Sequence, residues 1–262
     1  MGQPKRVALI SGASRGIGAA TAREMGRRGY HVVVNYRNSA GPAEAVVDAI
    51  EQDGGSAQAA RADVCDGGQV ADLVGKVYAE HGRIDALICN ANTVNPSFLP
   101  FAEVAWEAFA EKINGELAGV FHLSQRVLAV MREQRSGRIV FISSTAADHI
   151  GMAVAHSTAK AALNTFSRHV AGVGAQYGVT VNTVAFGAVR TEASGGAFQE
   201  DLEKYLTDRS VLARLVEPED AARTVALVAD DHFGAATGQL IRVDGGFDVL
   251  DAQLGRLAGF FS

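Results

Sequence analysis

Val7-Ala8-Leu9-Ile10, followed by Ser11-Gly12-Ala13-Ser14-Arg15-Gly16-Ile17-Gly18, decides how this chain is read. Four unbroken apolar residues run into three glycines, and helical periodicity begins at Gly16. Glycine here permits a tight turn and lets backbone N–H groups approach a pyrophosphate at the helix N-terminus. A lone glycine pattern is weak, but a strand before and a helix after supply the context for a nucleotide cradle. The spacing Gly12-x3-Gly16-x-Gly18 departs from the G-x-G-x-x-G dinucleotide fingerprint.

Outward from this stretch, the same alternation fills the chain. Apolar runs at Val7–Ile10, His31–Asn35, Ala86–Cys89, Arg138–Ile142, Val179–Ala185 and Gln239–Val243, with a weaker one at Ser56–Ala62, read as seven strands. They are nearly continuously apolar rather than alternating, as expected for strands covered on both faces. Helical patterns separate them at Gly16–Gly29, Pro42–Gly54, Asp66–His81, Glu103–Arg135, His156–Tyr177 and Pro218–Ala229. Pro42 and Pro218 suit first turns, and Gly29, Gly82 and Gly137 suit positions after helix ends. The expected fold class is α/β, a doubly wound seven-stranded parallel sheet in a single domain over residues 1–262. Two segments break the rhythm. Residues 186–210, with Gly187, Gly195 and Gly196, follow the sixth strand and read as a substrate-covering loop. Residues 247–262 form an apolar tail that packs locally or reaches a neighbouring subunit.

The composition narrows the class. With 262 residues, 48% hydrophobic and 20% charged, the chain can bury a sizeable core, and disorder is excluded. Its 29 glycines come with only 5 prolines and no collagen-like period. A net charge of -5 offers no electrostatic footprint for nucleic acid or anionic membrane. Cys65 and Cys89 are too far apart for a metal motif and read as buried reduced thiols, so no metal is expected. No signal sequence precedes the first strand, Arg6 spoils a myristoylation pattern at Gly2, and no apolar run is long enough to span a membrane. The expected location is cytoplasmic.

The glycine spacing resembles that of the short-chain dehydrogenase/reductase family, and the resemblance extends over nearly the whole chain. It implies a Rossmann-type fold with a nicotinamide cofactor. An NAD site needs an acid at the end of the second strand for the ribose 2′-hydroxyl. Here that strand runs into Asn35-Tyr36-Arg37-Asn38-Ser39, and Arg15 and Arg37 offer guanidinium groups suited to a 2′-phosphate. NADPH is therefore the expected cofactor. Gly12, Ser14, Arg15, Gly16, Ile17 and Gly18 form its cradle. The resemblance adds Asp63-Val64 beside the adenine, Asn90-Ala91 along the cofactor, Gly187 at a turn and Thr191 at the carboxamide.

The family's catalytic set is Asn, Ser, Tyr and Lys, the last two four residues apart on one helix face. Asn114 matches the first, and Lys160 the last. Counting from the fifth strand selects Ser144 as the serine, whereas counting back from the helix selects Ser143; Ser144 is preferred. Where the resemblance places tyrosine, position 156 is His. An imidazole beside an ammonium is mostly uncharged at neutral pH, and it is a weak acid. Two further departures accompany it: Asn92 where a glycine is usual, and Phe186 where a proline is usual, which puts an aromatic ring close to the expected nicotinamide. Asp148, His149, Asn92, Asn95 and the loop from Phe186 to Phe198 are expected to face substrate.

Loss of a general acid costs an ordinary ketone reductase much of its rate, about 10²–10⁴-fold. Hydride addition to a quinone or conjugated aromatic ketone instead yields a phenolate-like ion, which needs hydrogen bonds more than a proton. The leading expectation is an atypical NADPH-dependent reductase of a quinone-like or polyaromatic ketone. By analogy it would serve aromatic polyketide or antibiotic biosynthesis. The alternatives are a non-redox isomerase or cyclase with His156 as general base, and a catalytically silent cofactor-binding protein. The resemblance also implies a homodimer or homotetramer through the helices at residues 115–135 and 156–177.

Overall fold

The computed structural model describes residues 5–95, 97–148, 153–192 and 200–247. Seven strands form one parallel sheet: β1 (Val7–Ile10), β2 (His31–Tyr36), β3 (Ser56–Arg61), β4 (Ala86–Cys89), β5 (Gly137–Ser144), β6 (Val179–Phe186) and β7 (Leu240–Val243). Their order is β3-β2-β1-β4-β5-β6-β7. The helices are α1 (Gly16–Arg27), α2 (Ala40–Gln52), α3 (Gly67–His81), α4 (Trp106–Gln134), α5 (Val154–Ala175), α6 (Glu200–Asp208) and α7 (Pro218–Val228).

Alternation along each strand explains the layers. Ala8 and Ile10 of β1 join a core with Met25 of α1, Ile50 of α2 and Val225 of α7. Val7 and Leu9 face the other way, into a core with Val74 of α3, Leu123 of α4 and Leu163 of α5. Every position of β1 is apolar because both its faces are covered. The strand order reverses between β1 and β4, so the crevice beyond their carboxyl ends is where this topology places a ligand. No helix among the described residues is long and apolar enough to cross a membrane. Cys65 and Cys89 are free thiols, half-buried and buried respectively.

Element ends follow local chemistry. Asp66 caps α3 by accepting from the N–H groups of Gly68 and Gln69, and Gly82 ends it at φ 71°. Pro218 opens α7 inside a capping box made by Glu217 and Asp220. Two expectations need correction. The left-handed residue ending α4 is Arg135, not a glycine. Gly137 instead begins β5, where a Cβ would lie 2.3 Å from the Met131 sulfur. Residues 200–208, expected in a loop, form α6, whose first turn carries Glu200, Asp201 and Glu203 at the positive end of the helix dipole. Residues 193–199 of that loop and 248–262 of the tail lie outside the described residues.

Candidate active site

At the β1–β4 switch point a cleft of about 530 Å³ runs from Arg37 and Ser39 past Gly12 and Gly16 to Lys160 and Thr191. Gly12 has φ +62°, and a Cβ there would stand 2.7 Å from the Ala91 Cα, so the turn and its close approach both demand glycine. α1 begins at Gly16 with no side-chain cap and no acid in its first turn. Its amides and dipole are thereby left for an anion. Ser14, Arg15, Ile17, Val64, Asn90 and Ala91 line the same cleft. Asn90 also ties β4 to the glycine turn by donating to the carbonyls of Ser11 and Gly12. Gly18 plays a different part from the one expected: it packs α1 against Asn90 rather than lining the cleft. Gly187 likewise lies against Asp244, where a Cβ would come within 2.7 Å.

The cradle fits a dinucleotide in shape and in its donors. At its far end Arg15 and Arg37 line the wall, and Arg37 is 3.7 Å from the carboxylate of Asp63. Two cations and one anion leave this end net positive.

The other end is built from charge. α5 presents His156 and Lys160 one turn apart, on one face. Lys160 Nζ donates to Glu116 Oε1 at 2.5 Å and to the Ile142 carbonyl at 2.8 Å. Glu116 receives Lys112 Nζ on its other oxygen at 2.8 Å. Lys112 also donates to Asn92 Oδ1 at 2.6 Å and to the Val94 carbonyl at 2.9 Å. Burial pushes the Glu116 carboxyl up, but Lys160 and Lys112 outweigh it and hold the group at about 2. Burial, with repulsion from Lys160 and Lys112, brings His156 down to about 4. His156 Nδ1 is buried and has no hydrogen-bond partner among the described residues.

Several sequence expectations change here. Asn114 does not join Lys160. It lines an apolar depression with Leu117, Phe121 and Phe166 between α4 and α5. The reason is helical geometry: residues 112 and 116 share a face, whereas 114 lies about 200° around from 112. Lys112 and Glu116 were overlooked because a Lys–Glu pair four apart normally reads as a solvated surface pair. Phe186 does not reach the cleft either; it is 3% exposed in the core with Val189 and Val216. Ser143 is buried and donates to Asn164 Oδ1 at 2.6 Å. Ser144, half-buried at the end of β5, accepts from the Ala146 N–H. Asn92 and Asn95 line the cleft, and Asp148 lies 3.6 Å from Arg242. His149 lies outside the described residues.

Comparison with known proteins agrees with this architecture. Residues 12–248 match a family model described as enoyl-(acyl carrier protein) reductase. A 3-oxoacyl-[acyl-carrier-protein] reductase from Synechocystis sp. is 38% identical over 92% of this chain and 96% of its own. Versicolorin reductase from Emericella nidulans is 35% identical, over 92% of this chain and 95% of its own. Among solved structures, a point variant of actinorhodin polyketide ketoreductase with NADPH superposes with a TM-score of 0.88 at 29% identity, covering 95% of this chain and 99% of its own. A 7α-hydroxysteroid dehydrogenase complexed with NADH and 7-oxo glycochenodeoxycholic acid gives 0.87 at 30%, covering 92% and 94%. With its sheet order, glycine turn and near full-length relatives, the chain belongs to the short-chain dehydrogenase/reductase family.

Proposed function

We propose that this chain is an NADPH-dependent reductase of a quinone-like or conjugated aromatic ketone, with His156 in the place of the family's tyrosine. One observation carries the reading: a neutral imidazole stands beside a buried, net positive cluster at the end of a dinucleotide-sized cleft. Gly12, Ser14, Gly16 and Ile17 would hold the pyrophosphate, Arg15 and Arg37 the 2′-phosphate, and Lys160 and Thr191 the nicotinamide half. Asp63, Val64, Asn90 and Ala91 complete the wall. When bound, the reduced nicotinamide supplies the hydride.

The chain's own part is to stabilise the oxygen that becomes negative. His156 donates its ring N–H, and Ser144 and the ammonium of Lys160 add further positive density there. An imidazole kept neutral down to about pH 4 has an N–H that can donate a hydrogen bond but is too weak an acid to give up its proton in the transition state. That suits an aromatic oxyanion with a conjugate acid near ~10, and it serves an aliphatic alkoxide poorly. The hydroquinone anion formed from a quinone then takes its one remaining proton from water. The same low pKa argues against His156 as the general base of an isomerase, since so weak a base abstracts few protons. A polyketide ketoreductase with NADPH and a versicolorin reductase among the similar proteins support NADPH-dependent ketone reduction. The apolar depression on α4 and α5, with Phe121 exposed, suits association into a homodimer or homotetramer.

NADPH oxidation measured against a panel of quinones, polycyclic ketones and simple ketones tests the proposal. The expected result is turnover of the first two classes with one NADPH consumed per product. Substrate conversion without net NADPH use would replace this reading with the isomerase, and nucleotide binding without turnover on any substrate would replace it with a silent binding protein.

A further inference from the structure

A buried carboxylate stays ionised only when it is paired, and Glu116 carries a lysine on each oxygen. The Lys112 and Glu116 side chains are 1% and 2% exposed, so neither is a solvated surface group. Lys112 is spent inside the protein: its three N–H bonds go to Glu116, Asn92 and the Val94 carbonyl. Lys160 is not. Two of its donors are used, on Glu116 and the Ile142 carbonyl, and the third, with no partner among the described residues, remains for the cleft that Lys160 lines.

A merely structural pair needs one lysine per carboxylate. Here α4 contributes Lys112 and Glu116, α5 contributes His156 and Lys160, the segment after β4 contributes the neutral Asn92, and β5 contributes a carbonyl. With His156 neutral, the cluster keeps one positive charge in a buried place. That surplus is costly unless an electron-rich group is to meet it.

We propose that Asn92, Lys112 and Glu116 are positioning residues for Lys160, holding its ammonium fixed and charged so that its one remaining N–H serves a hydroxyl or oxyanion in the cleft. The role of that N–H rests on the reductase reading; the hold on Lys160 does not. Asn92 is part of the device because its amide oxygen takes the Lys112 donor that a glycine would leave unpaired.

The test is a pH titration of the Lys160 ¹³Cε resonance in the protein without nucleotide or substrate, assigned with Lys160→Arg. Glu116→Gln removes the anion, and the Lys160 midpoint should fall by at least about one pH unit, tenfold more free amine at a given pH. Lys112→Met removes a repelling cation while Glu116 stays, and the Lys160 midpoint should hold or rise. A loosened helix would move both variants the same way. Should Glu116→Gln fail to fold, the double variant Lys112→Met/Glu116→Gln, with no second buried cation, should also show the fall. An unchanged or higher midpoint on loss of Glu116, or a fall in both single variants, overturns the proposal. Neither ligand is present, so an enzyme that fails to reduce any carbonyl leaves this result standing. An active reductase with an unmoved Lys160 midpoint sinks the positioning role alone.

Discussion

At the β1–α1 end the cleft is lined by main chain, glycine and two exposed arginines, whereas at the α4–α5 end it meets Lys160, held from behind by the buried charges of Glu116 and Lys112. The first end recognises by backbone N–H groups whose placement depends on a short run of sequence. The second recognises by side chains from three elements whose spacing in sequence is 20 to 44 residues. A local turn tolerates variation elsewhere in the chain. A charge cluster does not, because each member is in place only while the others balance it.

The largest effect is expected where that balance is broken without repair. Glu116→Leu leaves two ammonium groups in the interior without their carboxylate and should cost about 3–5 kcal/mol in urea unfolding. A cost below about 1 kcal/mol would mean that the cluster is hydrated and the contrast between the ends is false.

Gly12→Ala tests the other end. The left-handed φ of +62° and the 2.7 Å approach to Ala91 should cost about 1–3 kcal/mol and weaken NADPH binding, read by fluorescence titration. Stability lost with binding unchanged would separate the turn from the cofactor.

Acid distinguishes the ends as well. His156 sits at about 4 in the folded chain and near 6.5 unfolded, so the unfolded state binds the extra proton between those values. Stability is therefore fully present above pH 6.5 and falls as pH drops toward 4. Between pH 7 and pH 5 wild type should lose about 2 kcal/mol more than His156→Phe, which has no proton to bind. Glu116, held at about 2, acts in the same direction only below its unfolded value of 4.5. Equal losses in wild type and His156→Phe would place the imidazole in solvent.

The smallest effect belongs to the arginines. Arg37→Ala should weaken NADPH binding about fivefold while leaving NADH within about twofold, since one exposed charge facing a phosphate is worth about 1 kcal/mol. Equal losses for both nucleotides would assign Arg37 to holding Asp63 instead.

These contrasts also account for what could be read from residues alone. The seven strands, the both-sided burial of the inner ones and the glycine turn were legible because each is written in consecutive residues, whereas the edge strands β3 and β7 turn out to be partly exposed. His156 and Asn92 stood out as departures at positions fixed by that same local spacing. Lys112 and Glu116 were not legible: their meaning depends on α4 rotating them toward α5, and four-residue spacing is equally that of a surface pair. Asn114 was mistaken for the same reason, since its unusual residue type in a helix said nothing about which face it occupies. Phe186 read as a site residue because it stands where the resemblance has a proline after the sixth strand, yet its side chain turns into the core. The helix α6 carries Leu202, Tyr205 and Leu206 at helical spacing, but it is short and sits in a segment whose Gly187, Gly195 and Gly196 read as a loop.

The central claim is that the α4–α5 end stabilises an oxyanion without delivering a proton, and His156→Tyr tests it most directly. The phenol restores an acid beside Lys160, so reduction of a simple aliphatic ketone should rise by at least about 10²-fold. Reduction of a quinone, which never required that proton, should change by less than about tenfold. If both rates rise by the same factor, or the ketone rate does not rise, the distinction between the two substrate classes at this site is wrong.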